Sequence, residues 1–268
     1  MNILLKERQE FPLRVFNPMS ETNQTKSVKK PAMSRPYLSI IIPVYNEEQR
    51  ISETLRKILD YLSSKKYSWE ILIVDDGCRD NTITLAEKSL TGKRYRILKN
   101  ERNMGKGAAI RHGMLEAEGE VLLFTDADLS TPIEELDHLE EPLKQGFHVT
   151  FGSRAMKGSE ILIRQPIHRE MMGRMFNILV QILHLPGVKD TQCGFKLFTH
   201  EAAQAIFQRQ RMKGFCFDVE VLVLARRLGF KIKEVPVRWI DSPQSKVNPL
   251  KDAAKMFGDL IRLKFRGK

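Results

Sequence analysis

Cysteine is scarce and unpatterned. Cys78, Cys193 and Cys216 are an odd number with no CxxC spacing, which excludes a disulfide framework and a Cys-based zinc site and fits a reducing compartment. No stretch reaches the roughly 18–20 uninterrupted apolar residues of a membrane-spanning helix; Leu38–Val44 and Val121–Phe124 are strand-sized. An apolar signal region is missing at the N-terminus, because Leu4-Leu5 runs at once into Lys6, Glu7 and Arg8, so the expected location is the cytosol or the cytoplasmic face of a membrane. Gly and Pro, 16 and 12 in number, are too few for a collagen-like or low-complexity chain. No GxGxxG follows the first β-branched run, which disfavours a dinucleotide site, and no GxxxxGK[ST] is present, which excludes a P-loop.

What is present is positive charge at the ends. The 268 residues carry a formal +11, of which residues 1–36 hold +4 and residues 244–268 hold +5. A nearly neutral middle with basic ends points to an anionic surface such as a membrane, or simply to solvated tails. Nucleic acid is disfavoured, since the ends lack Gly/aromatic interleaving and any zinc-finger or RNP-type motif. Residues 1–36 mix polar residues, Lys and Pro without sustained periodicity and read as a disordered basic tail, with scattered apolar residues over Asn2–Phe16 that suit a short surface helix. Residues 37–243 read as one domain. Residues 244–268 read as a basic amphipathic helix, with Met256, Phe257, Leu260, Ile261, Leu263 and Phe265 among Lys255, Arg262, Lys264 and Arg266. Such a helix can anchor on a membrane surface or pack on the core.

From Leu38 the pattern is regular. Leu38–Val44, Glu70–Asp75, Tyr95–Leu98, Glu120–Thr125 and His148–Gly152 read as strands, and Glu47–Leu62, Asn81–Leu90, Lys106–Glu116 and Pro132–Gln145 as helices between them. This alternation argues for an α/β fold with a parallel sheet covered on both faces. It breaks down after Arg154. Met171–Leu185 reads as a long helix, followed by helices over Glu201–Gln208 and Asp218–Leu228 and a strand over Ile232–Trp239. The Met171–Leu185 helix is apolar on nearly every side and lies beside Arg164, Arg169 and Arg174. It suits either the core or a lipid-facing surface.

Ligands of such sheets bind outside the carboxyl ends of the strands, and the acidic residues collect there. Asp126-Ala127-Asp128 ends one strand. Two hard oxygen ligands suit Mg²⁺ or Mn²⁺ bound together with a substrate phosphate; the alternative is a double cap on the following helix. Asp75-Asp76-Gly77 ends another strand and offers acceptors for a base or ribose. Asn103-Met104-Gly105-Lys106-Gly107 sets two Gly and a Lys at a helix start, suited to an anionic nucleotide or to a tight loop.

Taken in order, Ile40-Ile41-Ile42-Pro43-Val44-Tyr45-Asn46-Glu47, Val74-Asp75-Asp76-Gly77, Asn103–Gly107 and Asp126-Ala127-Asp128 resemble the motifs of family-2 glycosyltransferases, over roughly residues 38–240. Asp190-Thr191-Gln192-Cys193-Gly194-Phe195-Lys196-Leu197-Phe198 and Glu234-Val235-Pro236-Val237 resemble the polyprenyl-phosphate branch, above all dolichyl-phosphate β-glucosyltransferases, with the mannose synthases next. The resemblance implies the GT-A fold, a Rossmann-like mixed and mostly parallel sheet with helices on both faces. It also implies a nucleotide-sugar donor, a polyprenyl-phosphate acceptor and a Mg²⁺ or Mn²⁺ cofactor. By the same resemblance, Pro43, Tyr45, Glu47, Asp75, Asp76, Lys106, Gly107, Asp126 and Ala127 line the nucleotide sugar, with Asp126 and Asp128 on the metal. Ser153, Arg154 and Arg174 face the acceptor phosphate, and Asp190, Arg154 and Lys246 are catalytic. Some mannose synthases carry a metal-side Gln two residues after the second Asp; this chain has Ser130 there.

The expected reaction is inverting transfer of a hexose, glucose from UDP-glucose, to a polyprenyl phosphate. A phosphate acceptor is already ionised near neutrality and needs cations, whereas a sugar hydroxyl needs a general base, for which Asp190 is the candidate. The rivals are a GDP-mannose user, a transferase acting on a soluble hydroxyl, and a non-catalytic nucleotide-sugar binding module.

Overall fold

The computed structural model describes residues 35–242 and 249–265. The tail expected over 1–36, apart from Arg35 and Pro36, and the candidate Lys246 lie outside the described residues. Strands β1 (Leu38–Val44), β2 (Trp69–Asp75), β3 (Tyr95–Lys99), β4 (Val121–Thr125) and β5 (Val149–Ser153) alternate with helices α1 (Ile51–Ser63), α2 (Thr82–Leu90), α3 (Lys106–Glu116) and α4 (Leu136–Lys144). Then follow β6 (Glu160–Ile163), α5 (Ile167–Leu183), β7 (Phe195–Thr199), α6 (His200–Arg209), α7 (Phe217–Arg227), β8 (Ile232–Pro236), β9 (Arg238–Ile240) and α8 (Pro249–Phe265). Seven strands form one sheet in the order β3-β2-β1-β4-β7-β5-β8. All neighbours are parallel except β7, which runs antiparallel between β4 and β5.

The unbroken apolar run of β1 follows from burial on both faces. Ile40 and Ile42 point into a cluster with Ile51, Leu55 and Ile58 of α1, whereas Ile41 points into one with Ala109, Ile110 and Met114 of α3. Each of the fully buried Ile, Leu and Met side chains contributes about 1.5–3 kcal/mol. The sheet is thus mixed, mostly parallel, and covered on both faces, as the resemblance implies.

Four expectations shift. The first helix starts at Ile51 rather than Glu47, because Asn46 takes a positive φ of 53° and Glu47–Arg50 form a turn. The fourth starts at Leu136, after a single 3₁₀ turn over Ile133–Glu135. The strand expected over Ile232–Trp239 divides in two: β8 pairs with β5, and β9 pairs with β6 in a separate two-stranded sheet. The helix expected from Met171 begins at Ile167 and buries only Val180 fully. Its residues Ile167, Met171, Met175, Ile178 and Ile182, at helical spacing, are 54–75% exposed, and so are Leu162 and Ile163 of β6. Helix α8 keeps both of its sequence-level readings. Leu260 and Leu263 are buried in the core and Leu260 O meets His184 Nε2 at 2.9 Å, while Phe257 and Ile261 stay exposed. No helix among the described residues is long and apolar enough to cross a membrane.

Candidate active site

The strand order β2-β1-β4 sets three parallel carboxyl ends side by side, which gathers Tyr45–Glu47, Asp75-Asp76 and Asp126–Asp128 at one edge. Beyond β4 the chain turns sharply, with Leu129 at a φ of +46° and the Ser130 N–H donating to Asp128 Oδ1 at 3.0 Å. Ala127 is buried and its carbonyl accepts from Thr54 Oγ1 at 2.5 Å, so the side chain sits in the core. Asp126 and Asp128 both face a cavity of about 310 Å³, with Lys106, Ser130, Arg154, Arg169, Gln192 and Asp218 on its walls. Lys106 Nζ lies 2.6 Å from Asp126 Oδ1. Burial, and then the charge of Asp126, push the Asp128 carboxyl above its ordinary range. Gly194 is the reason Asp126 fits: a Cβ there would stand 2.0 Å from Asp126 Oδ2.

Two carboxylates share one wall and their negative charges oppose each other; Asp218 and Asp241 line the same cavity, but no three His, Cys, Asp or Glu among the described residues form a cluster that would close around a metal. Two hard oxygens with room left for phosphate and water fit Mg²⁺ or Mn²⁺ and do not fit a closed zinc site.

The second strand exit works differently. Asp75 Oδ1 accepts from the N–H groups of Gly77 and Cys78 at 3.0 and 2.7 Å. Asp76 accepts from Asn100 Nδ2 at 2.8 Å and from the N–H groups of Met104 and Gly105 at 2.8 and 2.9 Å. Asp76 therefore pins the Asn103–Gly107 loop. Gly107 faces protein: its N–H donates to Lys213 O at 2.8 Å, and a Cβ there would stand 2.3 Å from Met212 O. Its small size serves close backbone packing, the tight-loop alternative, while Lys106 alone of that pair reaches the cavity. Half-buried Pro43, Tyr45 and Glu47 sit at the β1 exit. Glu47 pairs with Arg50 at 3.0 Å and, with Arg50, Arg79 and Asp80, borders a shallow basin of about 600 Å³.

A further cavity of about 600 Å³ is lined by Arg154, Arg164, Arg169, Arg174 and Lys189. Arg154, Arg169 and Gln192 line both this cavity and the one holding Asp126 and Asp128. Asp190 grips Arg154 through Nε at 2.7 Å and Nη2 at 2.9 Å. Asp190 is positioned in turn by its own N–H, which donates to Glu234 Oε1 at 2.7 Å. Burial acts to raise the Asp190 carboxyl, but the charge and hydrogen bonds of Arg154 prevail and hold it below the ordinary carboxylate range. That makes Asp190 a weak proton acceptor and a strong anchor. Arg174 is largely exposed and pairs with Glu170 at 2.5 Å. Ser153 does not join this group. It is fully buried and lines neither cavity; its Oγ accepts from the Ala155 N–H at 3.3 Å and its carbonyl from Ser159 Oγ at 2.7 Å.

Two residues escaped the sequence reading. Lys196, fully buried in β7, forms an ion pair with Asp218 and donates to Cys193 O at 2.7 Å. A lysine inside the run Phe195–Phe198 was the available signal, since a charge is buried only with a partner. Asp218 lies in the first turn of α7 and gave no such signal.

The Glycosyl transferase family 2 profile matches residues 39–207. A dolichyl-phosphate beta-glucosyltransferase of Trichomonas vaginalis is 38% identical over 96% of this chain and 75% of its own. The corresponding proteins of Dictyostelium discoideum and Saccharomyces cerevisiae are 34% and 37% identical, over 97% and 84% of this chain and 80% and 73% of theirs. Among solved structures, glucosyl-3-phosphoglycerate synthase of Mycobacterium tuberculosis, in complex with Mn²⁺, UDP and glucosyl-3-phosphoglycerate, aligns with a TM-score of 0.63 at 20% identity, over 85% of this chain and 78% of its own. The fold is that of the GT-A glycosyltransferases, and the chain is a glycosyltransferase that belongs to glycosyl transferase family 2.

Proposed function

We propose that this enzyme transfers glucose from UDP-glucose to a dolichyl-type polyprenyl phosphate, with inversion, at the cytoplasmic face of a membrane. The observation that carries the reading is the shared wall of the two cavities, where Asp190 fixes Arg154 between the Asp126/Asp128 pair and a cluster of cations. The names of the relatives support glucose and dolichyl phosphate.

A phosphate acceptor carries its negative charge before reaction and needs no proton removed. It needs cations, and the bidentate fork of Arg154 matches phosphate. Asp190 takes Nε and Nη2, which leaves the Nη1 edge for a ligand. Arg164, Arg169 and Arg174 add charge along the approach. The depressed Asp190 carboxyl supports a phosphate acceptor over a hydroxyl, which would need a base. Asp126 and Asp128 would hold Mg²⁺ or Mn²⁺, which supplies Lewis-acid stabilisation of the UDP leaving group when bound. The Mn²⁺ and UDP in the mycobacterial structure support this cofactor. Lys106 lines the same cavity and adds positive charge toward the diphosphate. Asp75, at the β2 exit, and the Pro43–Glu47 segment are assigned to the uridine. Lys246 is assigned to the diphosphate.

The exposed Met171/Met175/Ile178/Ile182 face beside Arg164 and Arg174 supports attachment to anionic lipid. The test is incubation with radiolabelled UDP-glucose, UDP-galactose or GDP-mannose plus polyprenyl phosphate, scoring label extracted into organic solvent. Label from UDP-glucose supports the reading, label from GDP-mannose replaces it with mannosyl transfer, and water-soluble product alone points to a hydroxyl acceptor.

A further inference from the structure

We infer that Gln192 is a specificity residue whose side-chain amide donates a hydrogen bond to a hydroxyl of the transferred sugar. The inference rests on the proposed transfer from a nucleotide sugar. Gln192 Nε2 is shielded from solvent and has no partner among the described residues, although the residue lines both cavities. A buried N–H without an acceptor is unfavourable, and a ligand oxygen would restore the missing hydrogen bond on binding.

The backbone that carries Gln192 is held in place, while its side-chain Nε2, without a partner among the described residues, can turn to a ligand. The Gln192 N–H donates to Asp190 Oδ1 at 3.0 Å, and the next carbonyl, Cys193 O, accepts from buried Lys196 Nζ at 2.7 Å. Asp190 is itself held by Arg154 and by Glu234. The backbone is thus tied on both sides of the orphaned group.

Position and chemistry select the ligand. One cavity presents Lys106 with Asp126 and Asp128, and the other presents Arg164, Arg174 and Lys189. Charged ligand ends are therefore served by charged side chains. Gln192 is a neutral donor at the junction, where the uncharged part of the donor must meet the acceptor phosphate. The other orphaned atoms do not offer this. Tyr67, Arg96, Glu140, Thr191 and Gln210 line neither cavity, and the orphan of Asn177 is an acceptor in a cation-rich wall.

The experiment uses the full chain and whichever of UDP-glucose or GDP-mannose the wild type turns over, with donors deoxygenated at single ring positions. Gln192→Leu should lower kcat/KM for the intact donor by ~10–100-fold. One deoxy donor should lose a similar factor with wild type and nothing further with Gln192→Leu. Affinity for the free nucleoside diphosphate by calorimetry should be unchanged. Gln192→Met, which keeps the length but can neither donate nor accept a strong hydrogen bond, should show the same selectivity if Gln192→Leu misfolds. Equal loss on every deoxy donor, a loss confined to acceptor KM, or weakened binding of the free diphosphate would overturn the inference. Failure of the glucose reading shows separately, in the wild type's choice of donor.

Discussion

Asp190 and Arg154 are locked together by two parallel hydrogen bonds, with Asp190 also accepting the Arg154 backbone N–H at 3.0 Å. An arginine held on one edge keeps its direction while the other edge stays available, and that is what recognition of a phosphate needs. The pair also stabilises the fold. Asp190→Asn leaves a half-buried guanidinium without its counter-charge, so a loss of about 1–3 kcal/mol is expected in urea denaturation at neutral pH. The native Asp190 carboxyl lies below its ordinary value. Its contribution is therefore complete above the unfolded pKa of about 3.9 and is lost as pH falls through the lower native value. The gap between wild type and variant should start to close below about pH 4; a gap that grows on acidification would show that Asp190 is not the ionised partner.

The carboxylates at the β4 exit make a prediction about metal. Asp126→Asn and Asp128→Asn should each lower turnover by at least ~10²-fold, and EDTA should abolish wild-type activity until Mg²⁺ or Mn²⁺ is restored. Calorimetric titration with Mn²⁺ in the presence of UDP should show weakened binding in both variants. Full activity in EDTA would remove the metal from the account.

Asp75 has one oxygen committed to the turn at Gly77 and Cys78. Asp75→Ala should raise the donor KM more than it lowers kcat, since contact with a base is equal in ground and transition states. Loss of the turn bonds adds about 1 kcal/mol of destabilisation. Unchanged UDP affinity in calorimetry would limit Asp75 to the turn.

If the protein attaches to a membrane as proposed, α5 carries most of the contact. Met175→Glu with Ile178→Glu, both more than half exposed, should release the protein from anionic vesicles in flotation without lowering the melting temperature. Binding by wild type should weaken with salt. Deleting residues 250–268 should destabilise the protein, because Leu260 and Leu263 are core residues. Undiminished flotation of the double variant would shift the anchor to α8, where Phe257 and Ile261 are exposed, or to the N-terminal tail.

The strand-end position of the acids was legible in the sequence, but their structural work was not: Asp75 holds a turn and Asp76 pins a loop. Leu38–Val44 and Val121–Thr125 announce themselves as buried parallel strands, and each ends beside charge. Strand β7 was harder to read, since Lys196 interrupts its apolar pattern and its partners are distant in sequence. Strands β6 and β9 are short and pair only with each other, so no local periodicity marks them. Arg154 and Asp190 were both visible as candidates. Their contact was not, because it spans 36 positions and depends on β7 lying between β4 and β5. The packing role of Gly107 was hidden for the same reason: its neighbour is the distant segment at Met212 and Lys213.

The central claim is that the acceptor is a phosphate held by Arg154 without a general base. The most direct measurement compares Arg154→Lys and Asp190→Asn with wild type, using polyprenyl phosphate and varying acceptor and donor separately. Arg154→Lys should raise the acceptor KM markedly with little change in the donor KM, because an ammonium cannot reproduce the fork. Asp190→Asn should raise the same constant, retain measurable turnover, and leave the pH dependence of kcat without the loss of a basic group. An Arg154→Lys enzyme with normal acceptor KM, beside a folded Asp190→Asn enzyme with no turnover, would contradict the claim and identify a hydroxyl acceptor with Asp190 as its base.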